Sequence, residues 1–556
     1  MVSDHFFSQK IPTVSLDLFN AIFAIWLAVA LNVSFYQHLA DLTPYQGLSS
    51  TLFIVASNLI IVNLYHLIFQ IIHWRLSVKI LMTIWIVLGG LSAYFVNSLG
   101  IIISSDQIQN ILQTDTKEAF DLLTFKFIIW VLAFIVAPLI LVYFLPIRVE
   151  KTASILLKKF INIFISLIFI SGLLFIYYVD YAAIFRENRE LKSMISPQNV
   201  IASLISYYKK QEPKQNLALI TYGEDAHIIK RTSISTHPKL MVLVVGETAR
   251  AESFSLNGYA KNTNPELSKL DLINFSQVSS CGTATAVSVP CMFSGMTRNA
   301  YDANLAKLRE GLLDIAQRAG YKVTWIDNNS GCKGVCERVE KFQIPSNIED
   351  KWCNADDECH DEILVDSLKN YLAHLDKNDD TSRLIVLHQM GSHGPAYYKR
   401  TTAAYQPFQP ACNTKSIQGC SAQELLNSYD NSIVYTDHVL SSIIQTLAEV
   451  EHYQTGFWYL SDHGESTGEH GLYLHGSPYA IAPSQQTHIP MFMWFSESWK
   501  KNASNQLNCL AKHKNTSLSH DNLFPTLLNL LDIKTKTIQE YLNITSQCQV
   551  PNHIRA

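Results

Sequence analysis

A run of small hydroxyl residues between two cysteines is the first feature of this chain that could do chemistry. The stretch CGTATAVSVPC, residues 281–291, holds Thr283, Thr285 and Ser288 between Cys281 and Cys291. A hydroxyl becomes a competent nucleophile when a bound metal or an adjacent base activates it. A disulfide between the two cysteines would hold such a hydroxyl rigidly, although the same composition also suits an ordinary polar loop.

Residue types that bind metals follow two apolar runs elsewhere in the chain. Glu247 follows LMVLVVG, and Asp462 and His463 follow GFWYLS. Carboxylate oxygens and an imidazole nitrogen are a ligand set that suits zinc. An isolated Asp-His pair is more often a satisfied polar pair, so the zinc hypothesis depends on Glu247 arriving from another strand. The hydroxyl of Thr285 would complete the set.

Further candidates lie in loops that follow similar runs. His393 stands in HQMGSHGP and His475 in LYLHGSP, where each could bind a second metal or contact a phosphoryl oxygen. After KVTWID, Lys333 and Asn329 could hold a phosphate by charge and hydrogen bond. A solvated surface side chain is the alternative for each. Two other histidines are less certain candidates, His388 and His470.

These candidates require an α/β sheet that positions them. Short apolar runs at 240–246, 322–327, 383–388, 456–461 and 489–495 alternate with amphipathic stretches, which is typical of a mainly parallel sheet flanked by helices. In open sheets of this kind, ligands bind outside the carboxyl ends of the strands. Every candidate metal ligand falls at such an end, so the sequence predicts one site at that edge.

The first third of the chain predicts a membrane domain. Five apolar stretches cover roughly 15–36, 49–72, 80–100, 122–147 and 161–180, each near the roughly 20 residues that cross a bilayer. The first is not followed by a cleavage-site pattern and is interpreted as retained. Lys and Arg concentrate after the second and fourth stretches, whereas the loop after the third carries four acids and one Lys. These charges predict a cytoplasmic N-terminus and place the chain after about residue 181 outside the cytoplasm.

Composition agrees with that division into a membrane part and a polar part. Hydrophobic residues make up 48% of the 556 residues, charged residues 16%, and the formal net charge of −4 gives no sign of a nucleic-acid partner. We expect a transmembrane domain of five helices over 1–180, a membrane-surface linker over 181–238 and a catalytic domain over 239–556.

Cysteine positions support an oxidising location for the third domain. All ten cysteines lie at or after position 281. An even number in such a compartment suggests disulfides. Close neighbours suggest the pairs 281–291, 332–336, 353–359 and 412–420, which leaves 509 with 548, although the sequence alone does not prove this pairing. A structural zinc site is the alternative, but the CxxC pairs that favour one are absent.

Several segments together resemble a known family. GETAR at 246–250, CGTATAVSVPCM at 281–292, GSHGP at 391–395 and SDHGES at 461–466 are similar to motifs of the phosphoethanolamine transferases of Gram-negative inner membranes. That family includes lipid A modifying enzymes and the mobile colistin-resistance group. NSYDNSIVYTD and DNLFPTLLNLLDI also resemble the family and its sulfatase and alkaline phosphatase relatives. The resemblance covers almost the whole chain and implies a periplasmic α/β domain on five membrane helices.

The resemblance implies a nucleophile and a metal site. At the matching positions, Thr285 is the nucleophile, and Glu247, Asp462 and His463 bind one zinc ion tightly. The oxygen of Thr285 is a further ligand of that ion.

Other matching positions imply contacts with the substrate. Asn329 and Lys333 match residues that contact phosphoethanolamine, and His393 and His475 match residues that bind substrate, take part in catalysis or hold a second zinc. Most members have Asn where this chain has His470, a difference that bears on the second site rather than on the nucleophile.

The implied reaction transfers phosphoethanolamine from phosphatidylethanolamine to a lipid A phosphate through a phosphoethanolamine–threonine intermediate. A monomeric, zinc-dependent enzyme of the inner membrane is expected, and the added amine would give polymyxin and colistin resistance by weakening attraction to cationic peptides. The alternatives are a core sugar or another acceptor, a glycerol-phosphate transferase, a phosphodiesterase or a sulfatase. The Cys/Ser-x-Pro-x-Arg context of sulfatases does not occur around Thr285. A non-catalytic membrane protein that binds lipid A or polymyxin-like peptides is the alternative of another class.

Overall fold

The chain divides into two compact units. The structure, a computed structural model, describes residues 13–114, 116–211, 219–229, 237–354, 358–376, 379–546 and 548. The first unit holds the described residues up to Ile108 together with Leu123–Tyr207, and the second holds Gln109–Leu122 and the described residues from Tyr208 onward. The segment 109–122 therefore belongs with the C-terminal unit. The predicted domain boundaries at 180 and 238 stay predictions, and residues 212–218 and 230–236 of the predicted linker lie outside the described residues.

The N-terminal part of the chain is helical. Its helices are α1 (Leu16–Ala30), α2 (Val33–Leu42), α3 (Leu48–Ile72), α4 (Val78–Leu99), α5 (Ser105–Gln113), α6 (Thr116–Asp121), α7 (Phe125–Phe144), α8 (Thr152–Ile176), α9 (Tyr178–Glu187) and α10 (Gln198–Gln211). Within the described residues, α3, α4, α7 and α8 are each long and apolar enough to cross a membrane. They correspond to the second to fifth predicted spans.

The first predicted span is a bent pair of helices. Helices α1 and α2 meet at an angle of 58° and together count as a fifth possible span. Asn32 lies at the break, is 1% exposed, and donates its side-chain amide to the carbonyls of Leu27 and Ala28. The amide thereby satisfies carbonyls near the end of α1, as an apolar environment requires.

The second unit is built on a seven-stranded mixed sheet. Its strands are β1 (Lys239–Gly246), β2 (Ile273–Phe275), β3 (Lys322–Asp327), β4 (Glu340–Lys341), β5 (Arg383–His388), β6 (Gln454–Ser461) and β7 (Met491–Phe495), in the spatial order β2-β7-β6-β1-β5-β3-β4. Strands β6, β1, β5, β3 and β4 are parallel, and β7 is antiparallel to both β6 and β2. The predicted mainly parallel sheet is confirmed, with an antiparallel edge.

Burial explains why the central strands were recognisable as unbroken apolar runs. Residues Leu240–Gly246 of β1 are all buried, as are all residues of β5 and β6, because helices cover both faces of a parallel sheet. The run predicted at 489–495 becomes a strand only from Met491. Pro490 precedes it and has no N–H to donate to a neighbouring strand.

Helices connect and cover the strands of this sheet. They are α11 (Thr285–Phe293), α12 (Ala303–Leu308), α13 (Leu312–Arg318), α14 (Ser346–Trp352), α15 (Glu362–Ala373), α16 (Ala422–Ala448), α17 (Ser484–Thr487), α18 (Glu497–Asn502), α19 (Ser504–Lys512) and α20 (Leu523–Leu530). The longest, α16, begins with a capping box in which the side chains of Ser421 and Glu424 each accept the other's backbone N–H.

Four parallel strands end along one edge of the sheet. In the register of the sheet, Gly246 lies opposite Ser461, Val245 opposite His388, and Asp327 opposite His388. The chain that follows each of these strands therefore emerges at the same edge. This is the arrangement that the strand-end positions of the candidate ligands predicted.

The ten cysteines form five disulfides, all with the predicted pairing. The bonds are Cys281–Cys291, Cys332–Cys336, Cys353–Cys359, Cys412–Cys420 and Cys509–Cys548. Because the thiolate is the form that ligates metals, these disulfide-bonded cysteines do not support the alternative of a structural zinc site.

Candidate active site

The predicted metal ligands lie together at the carboxyl edge of the sheet. Glu247 follows β1, and Asp462 and His463 follow β6, whose last residue pairs with Gly246. One ligand atom from each of the three side chains lies within 4.8 Å of the other two, and all three residues are buried. Parallel pairing of β1 with β6 is what brings ligands 215 positions apart in sequence to one point.

Thr285 is the first residue of α11, and its hydroxyl reaches this cluster. Its Oγ1 donates to Glu247 Oε2 at 2.9 Å and lies 3.3 Å from His463 Nε2. A position at a helix N-terminus exposes the hydroxyl to unpaired backbone N–H groups and to the positive end of the helix dipole. Both features stabilise negative charge on this oxygen or on a phosphoryl group bound to it.

Contacts on both sides of α11 hold the nucleophile loop in place. Pro290 lies inside the helix and has no N–H to offer the carbonyl of Ala286, which instead accepts from Gln109 Nε2 at 3.0 Å. Ahead of the helix, Thr283 Oγ1 donates to the carbonyl of Ser477 at 2.6 Å. Together with the Cys281–Cys291 disulfide, these contacts give the rigidity that nucleophile placement requires.

The hydrogen bonds of His463 and Asp462 leave one atom of each side chain free to bind a metal. His463 Nδ1 lies 2.9 Å from the carbonyl of Gly464. A carbonyl only accepts, so Nδ1 carries the proton and Nε2 keeps its lone pair for a metal. Asp462 Oδ1 accepts the backbone N–H groups of Thr248 and His463, whereas its buried Oδ2 has no hydrogen-bond partner among the described residues. The donor set and this unsatisfied oxygen fit a divalent cation such as zinc.

The ionisable groups of the cluster shift one another's pKa values. Burial would raise the pKa of Glu247, but the hydrogen bond and charge of His463 hold it well below its usual range. Burial and the charge of Glu247 raise the pKa of Asp462. Burial would lower the pKa of His463, but the two carboxylates raise it. Two buried carboxylates thus require a positive charge beside them, which a metal ion supplies.

Asn329 lies directly beside the cluster, and Lys333 lies on the same loop. Asn329 Nδ2 donates to Glu247 Oε2 at 2.9 Å and to the carbonyl of Gln389 at 2.7 Å. The ammonium of Lys333 donates to the carbonyl and hydroxyl of Ser330 at 3.0 and 2.7 Å. The Cys332–Cys336 disulfide closes this loop, as the sequence suggested.

His393 and His475 face each other next to the cluster. Their ring centroids are 5.1 Å apart, and the ring of His475 is 4.6 Å from that of His463. An imidazole within hydrogen-bond reach of a bound phosphoryl group can transfer protons to and from its oxygens. The structure therefore brings together seven of the eight residues predicted for the site, whereas Lys333 bonds within its own loop.

The two less certain histidines differ in position. His470 is exposed, on a turn with φ of 53°. His388 is 0% exposed at the end of β5 and binds the carboxylate of Asp327. His388 is thus the one of the two that belongs to the surroundings of the site.

Sequence reasoning missed three residues that shape the site. Glu465 is buried, and its carboxylate contacts His475 Nδ1 at 2.9 Å. His520 accepts the N–H of Cys281 on Nδ1 and donates from Nε2 to the carbonyl of Ser461, and burial lowers its pKa to about 4.

The third missed residue is Gly391, whose φ is 55°. An added Cβ there would lie 2.4 Å from the carbonyl oxygen of Glu247. Glu465 stands inside the SDHGES motif and Gly391 inside GSHGP, so the motifs were a signal for these two. The sequence around His520 carried no signal that its ring would bridge two distant segments.

Two family models match this chain. Residues 239–533 match the sulfatase family, and residues 61–212 match the family described as phosphoethanolamine transferase EptA/EptB. The first match spans the sheet and the candidate site, and the second spans most of the membrane helices.

Individual relatives match over nearly the full length. The chain is 39% identical over 548 residues to phosphoethanolamine transferase EptA of Escherichia coli strain K12, covering 97% of this chain and 98% of that protein. It is 34% identical over 534 residues to phosphatidylethanolamine transferase Mcr-1 of Escherichia coli, covering 93% and 95%. The structure of the integral membrane protein lipooligosaccharide phosphoethanolamine transferase A from Neisseria meningitidis superimposes with a TM-score of 0.91 at 34% identity, covering 96% and 99%. The resemblance read from the motifs is confirmed.

Proposed function

The chain belongs to the phosphoethanolamine transferase family, and we propose that it transfers phosphoethanolamine from phosphatidylethanolamine to a phosphate of lipid A through a covalent intermediate on Thr285. It is a multi-pass inner-membrane enzyme whose catalytic unit lies in the periplasm. The observation that carries the proposal is the Thr285 hydroxyl, at a helix N-terminus and 2.9 Å from Glu247 in a buried metal-ligand cluster.

Glu247, Asp462 and His463 would hold the metal, which we propose to be zinc. When bound, zinc lowers the pKa of the Thr285 hydroxyl and offsets charge on the phosphoryl oxygens. The pair His393 and His475 is placed to hold a second ion or the substrate.

In the first half of the reaction, Thr285 Oγ1 attacks the phosphorus of phosphatidylethanolamine. The bond from phosphorus to the diacylglycerol oxygen breaks as the bond to Oγ1 forms. The threonine proton passes to a histidine of the pair His393/His475, and that pair then protonates the leaving diacylglycerol oxygen. Asn329 and Lys333 bind and orient the phosphoryl group, with Lys333 turning from Ser330 to the substrate.

In the second half, an oxygen of a lipid A phosphate attacks the same phosphorus. The proton of the attacking phosphate oxygen passes through the histidine pair to Oγ1 of Thr285 as Oγ1 leaves, which restores the free hydroxyl, and the product carries phosphoethanolamine on lipid A. The product gains an ammonium group beside an anionic phosphate, which weakens attraction to cationic peptides such as colistin.

Mass spectrometry of lipid A from cells that express this chain tests the reaction. We expect a phosphoethanolamine increment with the wild-type chain and with Thr285→Ser, which keeps a hydroxyl, and no increment with Thr285→Ala. An increment that persists in Thr285→Ala contradicts the nucleophile. No increment from well-expressed, membrane-inserted wild-type protein contradicts lipid A as acceptor and directs the search to a core sugar.

Metal analysis of the purified protein tests the cofactor. We expect about one tightly bound zinc per wild-type chain. In Asp462→Asn that zinc should be lost, because the amide lacks the charge and one of the two oxygens. Full zinc content in Asp462→Asn contradicts the assigned site.

A further inference from the structure

Buried His388 and half-buried Asp327 form a pair at the ends of two neighbouring strands. Asp327 ends β3, His388 ends β5, and the two residues lie opposite each other in the parallel register. His388 Nδ1 lies 2.9 Å from Asp327 Oδ1, and Trp325 Nε1 donates to the same oxygen at 3.0 Å. The imidazole is 0% exposed, so its position is set by the surrounding packing.

The second oxygen of Asp327 holds the loop that follows β3. Asp327 Oδ2 accepts the backbone N–H of Gly331 at 3.0 Å and that of Asn329 at 3.3 Å. The backbone carbonyl of His388 accepts the N–H of Asn328 at 2.9 Å. Both members of the pair therefore bond to the first residues of this loop, one through its side chain and the other through its backbone.

The same loop carries the residues proposed to bind the donor phosphate. Asn329 donates to Glu247 and to the carbonyl of Gln389, the residue that directly follows His388. A chain of hydrogen bonds thus runs from His388 through Asp327 and the loop backbone to Asn329 and Glu247. Lys333 lies four residues beyond Asn329 on this loop.

Stability alone is a weak reason for such a pair. Burial would lower the pKa of His388, but Asp327 raises it. Burial would raise the pKa of Asp327, but the bond to His388 lowers it, so both shifts favour the charged form of each partner. Buried ion pairs are often no more stable than apolar replacements of the same volume, and their recurrent use is to specify one geometry. His388 Nε2 is buried without a hydrogen-bond partner among the described residues, so Nδ1 makes the contact that orients the ring.

We propose that Asp327 and His388 are positioning residues that fix the 328–333 loop, so that Asn329 and Lys333 meet the phosphate of the donor lipid. The proposal rests on the proposed function for the identity of the donor. It assigns neither residue a contact with the substrate or the metal. Their effect on catalysis passes through Asn329 and the loop.

Two substitutions of His388 test whether the hydrogen bond from the position of Nδ1 to Asp327 is what matters. The amide of His388→Asn occupies the place of Nδ1 and can still donate to Asp327, whereas the amide of His388→Gln extends toward the place of Nε2. We expect kcat/KM for phosphatidylethanolamine to fall by about 10- to 100-fold in His388→Gln and by less than about threefold in His388→Asn. Equal losses in the two variants overturn the proposal.

A double-mutant cycle tests whether the pair acts through the loop. Asp327→Asn should lower kcat/KM by about 10- to 100-fold in the wild-type background but by less than about threefold in a background that lacks both loop contacts, Asn329→Ala with Lys333→Ala. Independent, multiplying losses overturn the proposal, because a merely structural role would lower activity alike in both backgrounds. His438→Asn is a matched control. His438 Nδ1 lies 3.0 Å from Glu266 Oε1, outside the candidate site, so this substitution should leave kcat/KM unchanged.

A binding measurement separates this proposal from the proposed function. In the Thr285→Ala background, which cannot form the intermediate, calorimetry with O-phosphoethanolamine should show Kd raised about tenfold by His388→Gln and unchanged by His438→Asn. If wild-type protein fails to turn over phosphatidylethanolamine, the proposed function is wrong. The comparison of Kd values still tests whether Asp327 and His388 position the loop. An unchanged Kd in His388→Gln, with zinc content and melting temperature as in the parent, overturns the proposal.

Discussion

At His475, the hydrogen bond on one ring nitrogen determines what the other nitrogen can do. Nδ1 lies 2.9 Å from Glu465 Oε2, and the hydroxyl of Tyr397 donates to Oε1 of the same buried carboxylate at 2.7 Å. An ionised carboxylate only accepts, so Nδ1 carries the proton and Nε2 presents a lone pair. That lone pair is what proton transfer or metal binding needs.

Glu465→Gln should therefore impair turnover while leaving the fold intact. If its amide NH₂ faces His475, Nδ1 must accept, and Nε2 then carries the proton. We expect kcat/KM for the donor lipid to fall by about 10- to 100-fold, as is usual when the partner of a functional histidine is removed.

Glu310→Gln is the control for Glu465→Gln. It alters a carboxylate paired with Arg318 outside the site and should leave turnover unchanged. Wild-type activity in Glu465→Gln, or equal losses in both variants, would show that Glu465 does not determine which ring nitrogen of His475 carries the proton.

At the scale of elements, the site depends on how closely the ends of β1 and β5 approach each other. The segment after β5 passes close to Glu247 at Gly391. The N–H of Gly391 donates to Asp361 Oδ2, and its φ of 55° lies in the left-handed region. A Cβ at this position would lie 2.4 Å from the carbonyl oxygen of Glu247. Only glycine combines that backbone conformation with that approach.

Gly391→Ala should push the two segments apart. We expect the free energy of unfolding to fall by about 1–3 kcal/mol, the usual range for a strained backbone position, together with a loss of bound zinc. Denaturant unfolding and metal analysis check the two effects. Gly419→Ala is the control, because its added Cβ would meet nothing within 4 Å, and similar losses in both variants would contradict the steric explanation.

At the scale of the whole molecule, charge and disulfides both place the second unit outside the cytoplasm. All ten cysteines are paired, so single introduced cysteines can report the side of the membrane without background. Leu76 is 91% exposed in the turn between α3 and α4, where positive charge predicts the cytoplasm, and Lys501 is exposed on α18.

A membrane-impermeant maleimide added to spheroplasts tests this orientation. It should label Lys501→Cys at once and Leu76→Cys only after lysis, because the charge pattern predicts that the turn after α3 lies in the cytoplasm and that the second unit lies outside it. Labelling of Leu76→Cys in intact spheroplasts would reverse the predicted topology.

Much of the fold was predictable because its signals are local. Span lengths follow from apolar runs, as in α3 and α4, and the disulfide pairs follow from close spacing, as for Cys332 and Cys336. The strands β3 and β5 have the predicted bounds because both are short, buried apolar runs. The antiparallel direction of β7 was not predictable, since an apolar run has the same pattern in either direction.

For the candidate site, the order of residues along the chain was enough to show which residue types stand at the strand ends, and the motifs around Glu247, Thr285 and Asp462 identified the family. The contact of His388 with Asp327, and the contacts of His520 with Cys281 and Ser461, became visible only in the folded chain. These contacts join residues 59 to 239 positions apart. Strand order and register bring such residues together, and no local pattern of residues encodes either one.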